Sequence, residues 1–165
     1  MSCPYRVINF VLQLLTAILE VVATVFVVLL LWSPCVLGLE FSVSPTMCLF
    51  IRPVMALHSV VFVLFRLCCC TVGLDPIAVV FNFIAGVAVT CSSLFLLIDV
   101  IMYHCGNEYL YMFYIVGIFG LLAGIMHLVN AFICNRYMPA SERLYLKPSK
   151  RQRKKALKVR LRENK

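Results

Sequence analysis

Charged side chains are scarce in this chain. Only 13% of its 165 residues are Asp, Glu, Lys or Arg, whereas 63% are hydrophobic and the mean hydropathy is +0.99. An ordinary soluble domain has about a quarter charged and about half apolar residues. The composition therefore excludes such a domain. Because the apolar residues come in long blocks, it also excludes a disordered chain and a nucleic-acid-binding module, and it predicts an integral membrane protein.

Several sequence motifs that would indicate a particular modification or chemistry are also absent. No Asn-x-Ser/Thr acceptor occurs, so we expect the loops to carry no N-glycans. There is no C-x-x-C pair of the kind that redox enzymes use. A zinc site needs four convergent ligands, and the three histidines (His58, His104 and His127) fall at three different depths. The sequence therefore predicts no metal, no cofactor and no catalytic residue.

Four long apolar blocks are present instead, at residues 7–32, 47–71, 76–103 and 109–134. Each exceeds the roughly 20 residues that a helix needs to cross the hydrocarbon core. Short connections place consecutive helices side by side and antiparallel. We predict an all-α membrane protein, an antiparallel four-helix transmembrane bundle, with a short segment 1–6 before it and a basic tail 135–165 after it. The first block is too long for a secretory signal and should remain as a span.

The distribution of basic residues predicts the orientation. Of the 15 Lys and Arg residues, 12 follow Cys134, and Arg6 and Arg66 fall on the same side as these. The loop 33–46 on the other side contains Glu40 and no basic residue. By the positive-inside tendency, both termini are predicted to be cytoplasmic.

Polar residues in the first span form one stripe. Asn9, Gln13, Thr16, Glu20 and Thr24 recur at spacings of three and four, which places them on one face of a helix. This face must meet other helices or water rather than lipid. Glu20 makes the strongest demand, because a carboxylate near the bilayer centre costs several kcal/mol unless it is protonated or paired.

Depth along each span predicts which polar groups meet. At about 1.5 Å per residue, Glu20 and His58 both lie roughly 20 Å from the cytoplasmic side, so we predict that they pair. By the same count Arg52 and Asp99 lie near the outer boundary. A polar layer nearer the cytoplasm contains Gln13, Asn82, His127 and Asn130. Hydrogen bonding between helices is the favoured interpretation of these groups, and a proton or ion path is the alternative.

Small residues predict close packing of the later spans. Gly117, Gly120 and Gly124 lie in the fourth span, Gly86 lies in the third, and Gly120 with Gly124 makes a GxxxG pair. Small residues let helix backbones approach closely. Packing within the bundle is favoured over homodimerisation.

Two membrane-proximal segments are candidates for contact with lipid. Cys68, Cys69 and Cys70 follow Arg66 at the predicted cytoplasmic boundary and are candidates for S-palmitoylation, with unmodified boundary cysteines as the alternative. The basic segment, residues 147–165, has one acid, Glu163, and ten bases: Lys147, Lys150, Arg151, Arg153, Lys154, Lys155, Lys158, Arg160, Arg162 and Lys165. We predict that it binds the anionic inner leaflet. The alternative is a solvated, disordered tail.

Three passages resemble the MARVEL-domain proteins, which include the MAL, chemokine-like-factor, synaptophysin and occludin groups. They are the last span from Val116 to Arg136, with its glycines and central polar residue, the passage Gly73-Leu-Asp-Pro, and the first span with Gln13. The likeness covers about 130 residues and is one of pattern. It implies four spans, no catalytic residue, and a role in vesicle trafficking, membrane apposition, cell junctions or membrane and cell-cell fusion. It also implies membrane-protein partners and a place in the plasma membrane or intracellular vesicles.

Other functional classes are less favoured. A claudin-like protein would need a larger first outer loop than residues 33–46. A four-span membrane enzyme of the MAPEG type would need an Arg-rich motif inside the second span, where Arg52 and Arg66 stand far apart. A small ion or proton channel or transporter subunit remains the main alternative, and it rests on Glu20, His58 and the polar layer.

Overall fold

The computed structural model describes residues 3–37, 43–68, 74–102 and 107–137. In chain order the helices are α1 (Cys3–Leu30), the four-residue α2 (Pro34–Leu37), α3 (Val43–Cys68), α4 (Leu74–Met102) and α5 (Asn107–Tyr137). Each of the four long helices includes a run of 24 residues or more that is long and apolar enough to cross a membrane. The predicted all-α four-helix membrane bundle is confirmed. The long helices begin two to four residues before the predicted spans.

The first connection shows how proline and a tightened turn end a helix. After Leu30 the amides of residues 31–33 each donate to the carbonyl three residues earlier, with N···O distances of 2.9–3.3 Å. Bonds of this type occupy carbonyls that would otherwise be unpaired at the helix end. Pro34 has no amide hydrogen to extend α1, and it begins α2 instead.

The four long helices form a ring. α5 packs along both α1 and α4, and α3 packs along both α1 and α4. Bonds between helices show that neighbouring helices are antiparallel. Gln13, early in α1, bonds to Asn130, late in α5, and Arg52, early in α3, bonds to Ser93, late in α4. We call the end at which α1 begins and α5 ends the terminal end, and the opposite end the far end.

The bundle is apolar outside and partly polar inside. Large aliphatic and aromatic side chains are exposed on all four long helices, among them Ile18, Leu57, Phe95 and Phe132. The buried positions include many alanines and also Asn, Gln, Glu, Arg and His side chains. This arrangement suits a bilayer, because lipid tails solvate apolar groups while polar groups must find partners inside the protein.

The interior divides into two halves. In the far half, a cluster of buried apolar side chains fills the space between the helices: Val27, Leu30, Cys48, Leu96, Val100, Phe113 and Val116. In the terminal half the buried side chains of α1 are mainly polar, and they face polar residues of α4 and α5. We use the names far half and terminal half for these two regions below.

The closest approach of α4 and α5 occurs at two glycines. A Cβ atom on Gly86 would lie 3.1 Å from the Gly124 carbonyl oxygen, and one on Gly124 would lie 3.2 Å from the Gly86 carbonyl oxygen. Contacts this short leave no room for a larger side chain on either helix. Both glycines and also Gly117 and Gly120 are buried within the bundle, where Leu97 packs against Gly117 and the Arg52 guanidinium packs against Gly120.

Candidate functional site

The polar stripe of α1 faces the interior of the bundle. Asn9, Gln13, Thr16 and Glu20 are almost completely buried, and Thr24 is half-buried. The two threonine hydroxyls each donate to the carbonyl four residues earlier in α1, at 2.7 Å. The three longer side chains, Asn9, Gln13 and Glu20, are therefore the ones that reach towards other helices.

Glu20 is paired with His127 near the middle of the bundle. Glu20 Oε1 lies 2.9 Å from His127 Nε2, and the two side chains are 1% and 0% exposed. The other ring nitrogen, Nδ1, lies 2.7 Å from Asn82 Oδ1. Asn82 in turn donates its amide to the Ala78 carbonyl at 2.8 Å. We call Glu20, His127 and Asn82 the central triad; it joins α1, α5 and α4.

The triad positions one proton between Glu20 and His127. Because Asn82 uses its amide nitrogen to donate to Ala78, its oxygen faces Nδ1, and this ring nitrogen must donate. At Nε2 the shared proton then resides either on the imidazole, as an ion pair, or on the carboxyl group, as a neutral pair. The pair has no net charge in either form, which makes its burial far less costly than that of a lone carboxylate.

The predicted pairing of Glu20 with His58 is wrong. The His58 side chain is exposed on the outside of α3, and its Nδ1 lies 2.7 Å from the Val54 carbonyl oxygen. The adjacent Ser59 is the residue that faces the interior. A residue count gives the depth of His58 correctly but not its direction around the helix axis, and neighbouring positions on a helix point about 100° apart.

Phe81 separates the two histidines. Its ring stacks on His58 with centroids 5.6 Å apart, and it meets His127 edge-on at 5.8 Å. Phe62 packs against the same ring at 5.0 Å. These aromatic contacts cover the central triad on the side where α3 and α4 meet.

A second polar layer lies closer to the terminal end. Asn130 Nδ2 donates to Gln13 Oε1 at 2.8 Å. Asn9 is assigned the amide orientation in which its nitrogen donates to Asn130 Oδ1 and its oxygen accepts from the Arg66 guanidinium at 3.0 and 3.2 Å. Cys134 Sγ lies against the same amide. The structure therefore brings together the predicted layer of Gln13, Asn82, His127 and Asn130, as two adjacent groups.

Arg52 is buried in the far half and has a different partner from the one expected. Its side chain is 1% exposed, and it donates from one terminal nitrogen to Ser93 Oγ at 2.8 Å. Ser93 is held in place because its hydroxyl donates to the Val89 carbonyl at 2.6 Å. Asp99, predicted at the same depth, is half-buried, and no bond joins it to Arg52. The open backbone at Gly120 provides the space for the guanidinium.

Some buried polar atoms of the triad and its neighbours keep unused hydrogen-bonding capacity. Within the described residues, Glu20 Oε2, Gln13 Nε2, Ser59 Oγ and Arg52 Nε are buried and make no hydrogen bond. Native interiors hold few such groups, and each one adds a cost to the folded state. Two of the four belong to the stripe of α1.

Three residues of this site have roles that the sequence did not predict. Asn9 was predicted to lie on the stripe but not to accept from Arg66, and Ser93 was not predicted to meet Arg52. Ser59, the interior residue next to His58, was not considered. A helical-face plot of α3 would have found it, since Arg52, Ala56, Ser59 and Val63 recur at spacings of three and four and are all buried.

The predicted lipid-contact segments are only partly within the structure. Cys68 is exposed at the end of α3 and has a free thiol. Cys69, Cys70 and the basic segment lie outside the described residues. In the ranges that the structure describes, no three His, Cys, Asp or Glu side chains converge as metal ligands would.

Comparison with family models, with curated proteins and with solved structures finds no match to this chain.

Proposed function

We propose that this chain is a non-enzymatic membrane-organising protein that acts in vesicle trafficking, membrane apposition, cell junctions or membrane and cell-cell fusion. One observation carries the proposal: most of the long polar side chains described within the spans turn inward and bond across helices, as in the central triad and in Gln13 with Asn130, whereas His58 is exposed and Asp99 is half-buried. The surface that remains is an apolar cylinder that addresses lipid. Chemistry of this kind supports a stable membrane body rather than turnover of a substrate.

The basic segment provides the second part of the proposal. We place both termini in the cytoplasm, so that ten basic residues lie next to the anionic inner leaflet. Each charge near such a surface contributes about 1 kcal/mol, so a segment of this kind can bind an anionic membrane, its own or an opposing one that comes within about a Debye length. The chain would then reside in the plasma membrane or in vesicles and would bring lipid surfaces or other membrane proteins together.

A vesicle-clustering experiment tests this proposal. The purified chain is reconstituted in phosphatidylcholine vesicles and mixed with acceptor vesicles that contain phosphatidylserine. We expect light scattering to rise for the full-length chain and not for a chain cut after Arg143. Acceptors of phosphatidylcholine alone are the control, and added salt should weaken the effect because it screens the charges.

The role of the basic segment can also be tested in cells by localisation of the protein. A tagged full-length chain and the chain cut after Arg143 are compared by microscopy and by affinity capture. Unchanged clustering, location and partners after truncation would refute the role given to the basic segment. A matched control replaces the six bases of residues 150–158 by Gln and keeps the length of the chain.

A second candidate function, a proton or ion path in a small channel or transporter subunit, is favoured by one specific observation. The central triad holds Glu20 Oε1 and His127 Nε2 2.9 Å apart near the middle of the span, close enough to share a proton, and Glu20 Oε2 is buried and makes no hydrogen bond. Proton flux into vesicles that contain the chain is compared with flux through Glu20→Gln. Equal flux in the two samples eliminates this candidate.

A further inference from the structure

A groove of about 510 Å³ lies between α4 and α5 on the outer surface of the terminal half. It is lined by Val79, Val80 and Phe83 of α4 and by Leu128, Ala131, Phe132 and Asn135 of α5. Val79 and Ala131 are buried and form its floor, whereas Phe83 and Phe132 are exposed and form its walls. The groove opens to the space that lipid occupies around a membrane-spanning helix.

The helix crossing explains why the groove forms here. α4 and α5 come closest at Gly86 and Gly124, and the lining residues lie on the terminal side of that crossing. The Leu128 side chain lies over Gly86, where an added Cβ would be 2.7 Å from it. Leu128 therefore closes the groove towards the membrane centre, and the small Ala131 keeps the rest open.

The groove is apolar along most of its length and polar at one end, which matches the chain and headgroup of an amphiphile. Six of its seven lining side chains are apolar, and the single polar one, Asn135, lies at the end nearest the terminus of α5. The next residue, Arg136, is an exposed base in the last turn of the helix. A hydrocarbon chain in the groove would thus have its headgroup at the Asn135 amide, at the helix end that also carries the Arg136 guanidinium. Both groups suit phosphate and carboxylate oxygens.

We propose that this groove binds one acyl chain of an anionic phospholipid, with the headgroup held at Asn135 and Arg136. In the proposed orientation this is a lipid of the inner leaflet. The length of the site agrees: the lining covers about one turn of α4, from Val79 to Phe83, and about two turns of α5, from Leu128 to Asn135. The longer of these, roughly 10 Å, is less than one leaflet of the hydrocarbon core.

Quenching by brominated lipids tests the site. The sole tryptophan, Trp32, is replaced by Phe, and a reporter is placed in the groove as Phe132→Trp. The matched control is Val11→Trp, on the lipid-exposed face of α1 at nearly the same depth. The vesicles are phosphatidylcholine with brominated phosphatidylserine or, at equal mole fraction, brominated phosphatidylcholine.

We expect the groove reporter to prefer the serine lipid by about fivefold, the ratio for one basic side chain near an anionic lipid, and the control reporter to show no preference. Adding Ala131→Phe should abolish the preference by filling the floor of the groove. Asn135→Leu, a milder change at the exposed mouth, should reduce it. Circular dichroism checks that both variants retain their helices.

Several outcomes would overturn the inference. Equal quenching by the two lipids at both reporters means ordinary boundary lipid only. A groove reporter shielded from every brominated lipid means that a protein surface, such as a second copy, covers the groove. This inference shares the orientation assumed in the proposed function. The chain cut after Arg143 separates the two: it should lose vesicle clustering and keep the preference at the groove, and loss of that preference would assign it to the basic segment instead.

Discussion

The two halves of the bundle interior are held together by different forces. In the far half, apolar side chains such as Leu96 and Val116 fill the space between the helices. Among the residues whose burial the structure describes there, Arg52 on Ser93 is the only fully buried charged group. In the terminal half, hydrogen bonds between polar side chains connect α1, α4 and α5 through the central triad and the bond between Gln13 and Asn130. The far half therefore depends on how well its apolar side chains fit together, whereas the terminal half depends on which polar side chains are paired.

This difference has a physical basis in the bilayer. Apolar contacts gain little from leaving lipid, because lipid tails are as apolar as the side chains, so packing in the far half acts through close van der Waals contact. A polar group finds no hydrogen-bond partner in hydrocarbon. Each buried polar side chain of the terminal half therefore needs a particular partner within the protein. Substitutions in the two halves should therefore destabilise the protein for different reasons.

The largest effect is expected at the central triad. His127→Leu removes the partner of Glu20 and leaves a buried carboxyl group without compensation. Breaking a buried pair in this way costs about 3–5 kcal/mol. The free energy of unfolding in bicelles measures the effect. His58→Leu is the control, since the exposed His58 hydrogen-bonds only to its own helix and meets α4 only by stacking on Phe81, and it should cost less than about 1.5 kcal/mol.

The double variant sharpens this result. Glu20→Leu together with His127→Leu removes both partners, and it should be less destabilised than His127→Leu alone, because no carboxyl group is left unpaired, while the Asn82 oxygen loses its partner equally in both variants. A double variant as unstable as the single one would show that lost packing, rather than the orphaned carboxyl group, causes the effect.

The far half should respond in proportion to lost volume. Leu96 is almost completely buried in the apolar cluster, and Leu96→Ala should cost about 2–3 kcal/mol through the cavity that it leaves. Leu96→Met, which conserves volume, should cost less than about 1.5 kcal/mol. The same unfolding measurement applies. Equal losses for both substitutions would indicate that the far half does not depend on packing.

A smaller loss is expected where α4 and α5 cross. Gly124→Ala brings a methyl group against Thr90 and the Gly86 backbone, and overpacking of this kind costs about 1–3 kcal/mol, with the smallest added group at the low end. Ile125→Ala, one position away on the exposed face, is the control. If Gly124→Ala is as stable as the parent chain, the close crossing does not hold the two helices together.

The smallest effect should come from the single hydrogen bond between Gln13 and Asn130. Hydrogen bonds between membrane helices average about 0.6 kcal/mol in double-mutant cycles. A cycle built from Gln13→Leu and Asn130→Leu should therefore give a coupling energy near this value. A coupling of zero would mean that the 2.8 Å contact contributes nothing to stability.

Particular residues show which contacts of the site can be predicted from the sequence and which cannot. The spacing of Gln13, Thr16 and Glu20 correctly predicted a buried face, because a helix has a fixed period and lipid excludes unpaired polar groups. Depth counting also correctly grouped Gln13 with Asn130 and Asn82 with His127. It failed for His58 and for Arg52 with Asp99, where two residues at one depth face different neighbours.

The amino-acid order alone determined that four apolar helices form and which stripe of α1 is turned inward, because helix length and periodicity are local properties set against the thickness and polarity of the bilayer. Only the tertiary structure decided that Glu20 meets His127, that Ser93 receives Arg52, and that a groove opens between α4 and α5. Those outcomes depend on the order of the helices around the ring and on their rotation about their own axes. Both are set by the packing of all four helices together, and no single helix encodes them.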